Sequence, residues 1–437
     1  MTSTLPLLMI LVAGAPLFTI IAASALLGFH ANETDLSVVA IEIYRLSEMP
    51  VLLAIPFFTF AGYLLGESRS PERLVTLTRH LMGWLPGGLA IVAIITCAIL
   101  TAFTGASGIT IVALGSLLYP ALKQAGYPER FSLGLLTSSG SLGLLFAPAL
   151  PLILYGVVAQ QVSIDQPVSI DDLFLAGILP CLLMLLLLSL WSMIQFRRHH
   201  DAVHPNGDNP MEEAPIMVSS SLKTALWEAR WELPLPFVIL GGIYSGLFAV
   251  SEAAVITALY VLIIKVVIQR EIGLRQMPRI LRESMVLVGA ILVILAVSLA
   301  STNLIIDTEV PERIFAIVQS HIHSRWTFLL FLNLFLLFIG MLLDIFSALV
   351  ILVPILLPIA LSYGIHPVHF GIIFLANMQL GYFTPPVGMN LFIASHRFNR
   401  PVIELYRASL PFFFILLVAV LIITYWPPLS LNLISQS

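Results

Sequence analysis

Residues 376–392 read Ala-Asn-Met-Gln-Leu-Gly-Tyr-Phe-Thr-Pro-Pro-Val-Gly-Met-Asn-Leu-Phe, and the fold turns on them. No Asp, Glu, Lys or Arg occurs between Asp344 and Arg397, so the segment lies within a long uncharged stretch. Pro385 and Pro386 lack a backbone N–H, Gly381 and Gly388 weaken a helix, and Asn377, Gln379, Thr384 and Asn390 add polar side chains. One continuous helix is therefore excluded. A broken backbone is untenable against lipid and is tolerated where protein encloses it or where it lines a cavity. The rest of the chain is expected to enclose this segment.

The surrounding composition fits that demand. The 437 residues are 59% hydrophobic and 10% charged, with a mean hydropathy of +1.01, well beyond a soluble globular domain. Uncharged runs of roughly 20 residues recur, each long enough to cross a hydrocarbon core of about 30 Å as a helix. The fold class is thus an all-α polytopic membrane protein rather than a β-barrel of alternating strands. Residues 1–32 contain no Lys or Arg, unlike the charged start of a cleaved signal peptide, so 5–28 is taken as a retained first span. Cys97 and Cys181 lie in apolar runs with no metal or redox spacing and read as packing thiols.

Lys and Arg placement orients the spans. Arg69, Arg73 and Arg79 follow a second span, 50–66, and mark a cytoplasmic connection, whereas Glu33 and Asp35 lie outside and 37–48 forms an amphipathic piece. Residues 81–122 carry no charge, with Thr104-Gly105-Ala106-Ser107-Gly108 in their middle. The arm 88–103 would be about 24 Å long as a helix, which favours a re-entrant hairpin. The uncharged stretch 131–164 is broken by Thr137 to Ser141 and by Pro148 and Pro151. A run from 173 to 196 leads to a hydrophilic linker over 197–231. Residues 233–264 read as a tight pair of spans, 284–306 as a single span crossing outward, 326–363 as a second hairpin with Gly340, Asp344 and Ser347 at its tip, and 408–427 as a last span. The N-terminus is placed in the cytoplasm and the C-terminus outside.

Sliding the chain against itself by 238 positions pairs Leu118 with Leu356, Pro120 with Pro358, Gly126 with Gly364, Leu142 with Leu380, Gly143 with Gly381 and Pro148 with Pro386. Each half holds a hairpin, a Gly turn and a broken helix, entered from opposite sides. This is an inverted-topology repeat with two re-entrant hairpins and two discontinuous helices, as in many secondary transporters. It divides the chain into N-terminal scaffold spans and an arm helix (1–80), a first repeat (81–164), scaffold spans with the linker (165–325), a second repeat (326–400) and a C-terminal span (401–437).

Hairpin tips and helix breaks are expected to meet near the midplane, where half-helix N-termini attract anions and freed carbonyls hold cations. The candidate substrate ligands are Thr104, Ser107, Ser139, Gln379, Thr384 and Asn390. The candidate cation ligands are Ser107, Gly108, Ser138, Gly140, Gly340, Asp344, Gly381, Thr384 and Gly388, hard oxygen donors that suit Na+ better than a transition metal. Asp344 stands out because a lone carboxylate in an uncharged hairpin must be paired, wet or capping a half-helix. Glu252 reads as a helix cap, and the basic residues 265–282 as lipid-facing anchors rather than a nucleic-acid patch. Ser and Thr in membrane helices commonly bond their own backbone, which is the plainer reading of Ser138 and Ser139 taken singly. No His-Glu-x-x-His, Gly-x-Ser-x-Gly or paired intramembrane aspartates are present, so neither a membrane enzyme nor an organic cofactor is expected.

Several ordered motifs resemble one family. They are Thr104 to Gly108, Tyr119-Pro120-Ala121-Leu122, Gly126-Tyr127-Pro128, Tyr155-Gly156, Leu173 to Pro180, Gly241 to Gly246 with Glu252-Ala253-Ala254, and Gly381 to Asn390. Together they resemble the large membrane subunit of TRAP transporters, the tripartite ATP-independent periplasmic family. Ala147-Pro148-Ala149 departs from the Pro-Pro-Ser common there. The resemblance implies an elevator-type, Na+-coupled importer of small organic acids, such as dicarboxylates or sugar acids, in a prokaryotic inner membrane. It implies two protein partners, a small four-helix membrane subunit, not expected to be fused here, and a periplasmic substrate-binding protein. A stand-alone Na+/dicarboxylate symporter of similar build is the alternative.

Overall fold

The computed structural model describes residues 14–32, 34–162, 168–203 and 221–434. Among these the chain is helical. Helices α1 (Leu17–Ala31), α2 (Ser37–Ser47), α3 (Ala54–Glu67) and α4 (Ser70–Met82) lead to a hairpin of α5 (Gly88–Thr104) and α6 (Ser107–Gln124). A broken helix follows, made of α7 (Glu129–Ser139), a 3-10 turn (Leu142–Leu145) and α8 (Leu150–Val162). Then come α9 (Ile170–Val203), α10 (Leu222–Glu228), α11 (Pro234–Tyr244), α12 (Val250–Leu262), α13 (Met277–Asp307) and α14 (Val310–His321). A second hairpin, α15 (Arg325–Leu342) and α16 (Ile345–Ser362), precedes a second broken helix, α17 (Pro367–Gly381) and α18 (Met389–Phe398). The chain closes with α19 (Val402–Tyr425) and α20 (Pro428–Leu431).

Seven of the described helices are long and apolar enough to cross a membrane, and the pair Glu129–Leu145 and Leu150–Val162, bent by 42°, makes an eighth when counted as one span. The protein is a multi-pass membrane protein. The expected first span is described only from residue 14, and its helix starts at Leu17. Of the expected linker, 204–220 lies outside the described residues, and its flanks are helical, because α9 runs on to Val203 and Leu222–Glu228 forms α10. The tight pair of spans expected at 233–264 is not formed. Gly246, at φ 71°, ends the first helix after 11 residues, about 16 Å, and only Val250–Ile268 reaches crossing length. Glu252 caps α12, accepting from the Ala249 amide at 2.9 Å.

The repeat is visible in the elements themselves. Adding 238 to the bounds of α6 gives those of α16, and the Ser141 hydroxyl of one break donates to the Gln379 carbonyl of the other, 238 residues away, at 3.3 Å. Gly126 and Gly364, the equivalent turns after each hairpin, both take positive φ, 79° and 71°. The peptide bonds Ala147-Pro148 and Pro385-Pro386 are both cis.

The broken helices form the centre. All 15 residues of α17 are buried, as are those from Ser132 to Leu145, so these segments are sheltered by protein on every side. Around them pack the hairpins, α9 and α19: α19 lies on α7 and α17, and α9 on α5, α17 and the 3-10 turn. Helices α3, α12 and α13 form a second layer, with α3 and α13 in contact and α3 also touching α5.

An ion network joins the ends of that layer. Glu232 accepts from Lys265 Nζ at 2.5 Å, Arg73 at 2.9 Å and Ser70 Oγ at 2.9 Å. Arg73 also bonds Glu271, and Lys265 Nζ donates to Gln269 at 2.7 Å. Lys265 is only 1% exposed, turned inward by the π-helical segment Ile263–Ile268. It is therefore not a lipid-facing anchor, as its place in the 265–282 basic run suggested, but the centre of a buried network. Burial works to raise the Glu232 carboxyl, yet Lys265 and Arg73 hold it below its ordinary value. A depressed carboxylate stabilises the fold above its unfolded pKa and loses that contribution as the pH falls through the carboxylate range. Removing it leaves Lys265 and Arg73 to share Glu271 alone, an excess positive charge in a buried network, so Glu232→Ala should destabilise by about 3–5 kcal/mol. Thermal melting of the detergent-solubilised variant checks this, and an unchanged midpoint contradicts it.

Candidate functional site

Small residues let the hairpins cross the broken helices at backbone contact. A Cβ on Gly381 would lie 2.5–2.8 Å from the backbone of Gly340, and one on Gly143 would lie 2.1 Å from the Ala98 carbonyl and 2.5 Å from the Ala102 amide nitrogen. These crossings are equivalent in the repeat, since Ala102 corresponds to Gly340 and Gly143 to Gly381. Close approach through small residues is how helices associate where no hydrophobic force drives them together.

The first tip turns at Gly105, with φ 64°, where a Cβ would strike Leu150 at 2.6 Å. Ser107 Oγ donates to Asn390 Oδ1 at 2.7 Å, tying the first tip to the second broken helix. The Asn390 amide reaches the Thr137 carbonyl at 3.4 Å. Thr101 Oγ1, paired with Thr110 Oγ1 at 2.7 Å, donates to the Gly140 carbonyl at 2.8 Å. Ser138 and Ser139 donate to their own helix, at Gly134 and Leu135, at 2.8 and 2.5 Å. The Thr104 hydroxyl likewise stays local, 3.3 Å from the Ala106 carbonyl.

The second tip is organised by Asp344. One carboxylate oxygen accepts from the amides of Phe346 and Ser347, both at 3.0 Å, and the other from Ser347 Oγ at 2.5 Å. The side chain therefore caps α16, the structural alternative for this residue. The Ile345 amide donates to Tyr382 Oη at 2.8 Å, and the Gly388 amide to the Met341 carbonyl at 3.2 Å. Gly388 has φ 57°, in the left-handed region that favours glycine. Thr384 Oγ1 bonds the Leu380 carbonyl at 2.7 Å. Gly340, Asp344, Gly381, Thr384 and Gly388 thus gather around one tip.

Between the two tips and the layer of α3 and α13 lies a cavity of about 860 Å³. Ser107, Gly108 and Asp344 line it, with Tyr382, which sequence reasoning quoted but did not select. Thr104, Ser139, Gln379, Thr384 and Asn390 are not in its wall. Glu67 and Glu283 face it from α3 and α13, and the described lining holds no Lys, Arg or His. Arg279 pairs with Glu67 and lies 3.9 Å from Glu283. Helix α6 presents its N-terminus there with no side-chain cap, whereas α16 has Asp344. On α17, outside the cavity wall, Gln379 Oε1 and Asn377 Oδ1 are buried oxygens with no hydrogen-bond partner among the described residues. No group of three or more His, Cys, Asp or Glu that could hold a metal occurs among the described residues.

Thr101, Thr110 and Asn333 were missed. Asn333 accepts from Asn377 at 2.6 Å and Thr424 at 3.1 Å, and His369 bonds Ser430 at 2.6 Å nearby. The only signal for them is a polar residue within an apolar helix.

Comparison with known proteins places this geometry. The family described as the tripartite ATP-independent periplasmic transporter, DctM component, matches residues 4–429. The C4-dicarboxylate TRAP transporter large permease protein DctM of Pseudomonas aeruginosa is 35% identical over 90% of this chain and 88% of its own length. Its counterpart in Rhodobacter capsulatus is 32% identical over 93% and 91%. In fold, the chain is similar to the YdaH transporter of Alcanivorax borkumensis, with a TM-score of 0.65, 16% identity and coverage of 91% and 89%.

Substitutions at two positions test the geometry. Gly143→Ala forces a methyl into the Ala98 carbonyl, and overpacking of this kind costs about 1–3 kcal/mol, read as a lower melting temperature. Asp344→Ala loses a helix cap, about 0.5–2 kcal/mol, while Asp344→Asn keeps an acceptor oxygen and should melt close to the parent. Equal melting of the Ala and Asn variants would contradict the capping role.

Proposed function

The chain belongs to the DctM component of the tripartite ATP-independent periplasmic transporters, and from that premise we propose that it imports a small organic acid in symport with Na+. It is a transporter permease and not an enzyme. The observation that carries the proposal is the cavity, where both hairpin tips and both helix breaks face a second layer of helices. Tips that meet the breaks of broken helices lie at the depth of those breaks, which supports re-entrant hairpins.

The charges support coupling to a cation. A solute anion entering this cavity meets the Asp344 carboxylate, and Glu67 and Glu283, which share Arg279, with no basic residue in the described lining, so added positive charge favours its entry. The uncapped N-terminus of α6 supplies part of it, on the order of half a charge. A small hard cation held by oxygen atoms supplies the rest. Gln379 Oε1 and Asn377 Oδ1 are unpartnered oxygens of that kind, and the carbonyls freed at the breaks are others. Cation and anion then raise each other's affinity, a reciprocal linkage between two sites.

In this reading the hairpins and broken helices move as one body past α3, α12 and α13, an elevator movement in the inner membrane, and α9 and α19, which the sequence division left to the scaffold and the C-terminal span, go with them because they pack on the broken helices. Gly62 marks the sliding surface: a Cβ there would fall 2.4 Å from the Phe103 carbonyl and 2.5 Å from Thr104 Cα, so α3 rides directly on the first tip. A periplasmic binding protein delivers the solute, and a small four-helix membrane subunit accompanies the permease. The names of the two relatives suggest a C4-dicarboxylate.

Proteoliposomes carrying the permease, its small subunit and its binding protein should accumulate radiolabelled succinate under an inward Na+ gradient, and lose uptake when K+ replaces Na+. Uptake unaffected by that replacement contradicts the coupling. Uptake by the permease alone supports instead a stand-alone symporter.

A further inference from the structure

A second cleft, of about 440 Å³, lies away from the transport cavity, between α7, α9 and α19. Arg130, Arg198 and Arg407 line it, one from each helix, and its described lining contains no Asp or Glu. None of the three arginines pairs with a described acidic side chain. The neighbouring acids are engaged elsewhere: Glu129 accepts from Tyr119 Oη at 2.6 Å and from Arg400, and Glu404 lies 3.9 Å from Arg400. Three guanidinium groups are thus held around one opening with no described acidic side chain opposing them.

The wall below them is apolar and aromatic. Tyr127 stacks on Phe131 at 5.7 Å and meets Phe196 at 5.4 Å, and Phe131 meets Phe412 at 5.5 Å. Trp191 completes the wall, and its indole nitrogen is buried without a hydrogen-bond partner. A wall of this kind excludes a free hydrated anion and accepts hydrocarbon. The arginines stand where α7 begins, where the span Ile170–Arg198 ends and near the start of α19, on the face that the Lys and Arg bias assigns to the cytoplasm.

We propose that this cleft binds one anionic glycerophospholipid, its phosphate held by Arg130, Arg198 and Arg407 and its acyl chains laid against Phe131, Trp191 and Phe412. Arginine suits the headgroup because its planar fork donates two parallel hydrogen bonds to phosphate oxygens. Basic pockets between membrane helices on the cytoplasmic side take such headgroups. The bound lipid would bridge three helices that all belong to or pack on the broken helices, and so would fasten the cytoplasmic end of the body that holds the hairpins.

Native mass spectrometry of the detergent-purified chain, with dioleoyl phosphatidylglycerol or dioleoyl phosphatidylcholine added, tests this. The anionic lipid should be retained on the order of a hundred-fold more tightly, at about five-fold per arginine near a membrane surface. Combining Arg130→Gln, Arg198→Gln and Arg407→Gln should bring the two lipids to parity, while Arg275→Gln with Arg282→Gln, basic residues elsewhere on the same face, should not. Equal retention by the parent chain, or unchanged preference in the triple variant, overturns the proposal. Displacement by inorganic phosphate at comparable concentration would overturn it too, assigning the site to a free anion instead. Labelling of the unmodified chain by a photoactivatable phosphatidylglycerol guards against a misfolded variant: adducts on 191–198 and 407–412 support the site, and adducts confined elsewhere overturn it.

Discussion

Interrupting a helix inside a membrane frees backbone groups that lipid cannot satisfy, and the architecture answers that constraint twice. Each break is wrapped by protein, and each is crossed at backbone contact by the first arm of its own hairpin, Gly340 over Gly381 and Ala98 to Ala102 over Gly143. With side chains at those glycines the hairpins would stand off, and the carbonyls and amides of the breaks would face hydrocarbon. The same closeness brings Ser107 to Asn390 and the Gly388 amide to the Met341 carbonyl. The site is therefore a by-product of satisfying the backbone: polar groups that had to be enclosed are enclosed together, beside a cavity.

The two layers are held by different physics. Around the breaks, cohesion comes from small-residue packing and from hydrogen bonds of backbone, hydroxyl and amide groups, with one carboxylate, Asp344, capping the second tip. The outer layer is fastened at one end by Glu232, Lys265, Arg73 and Glu271, a network that tolerates little displacement because any broken pair leaves a buried charge. In the proposed reading this fastened layer is the static one, and α3, whose Gly62 lies against the backbone of Phe103 and Thr104, is where the body moves past it. Ser298 Oγ to the Val350 carbonyl, at 2.8 Å, is a polar tie between α13 and the second hairpin, and such a tie must exchange partners if the body moves.

Much of this was legible in the sequence, and for identifiable reasons. Uncharged stretches bounded by Gly turns marked both hairpins within a few residues, because charges and glycines act locally. Offset matches such as Gly143 with Gly381 marked the repeat, because those glycines perform the same crossing. Individual contacts were less accessible. Whether Ser138 bonds its own helix or a neighbour depends on rotamers, and whether Asp344 caps or coordinates depends on backbone geometry one residue away. The place of Lys265 was misread because a basic residue at a span end normally faces water or headgroups; the π-helical turn that rotates it inward has no signature in Ile-Ile-Lys-Val-Val-Ile. Residues 233–264 misled because apolar length alone does not show where Gly246 stops the helix.

The central claim is that hairpins and broken helices travel as one body past α3 and α13. Double electron–electron resonance between spin labels at Leu281 on α13 and Leu410 on α19, both exposed, tests it most directly in proteoliposomes. The account predicts at least two distance populations whose balance shifts when Na+ and solute are supplied. A single distance distribution, unchanged by either, would contradict it.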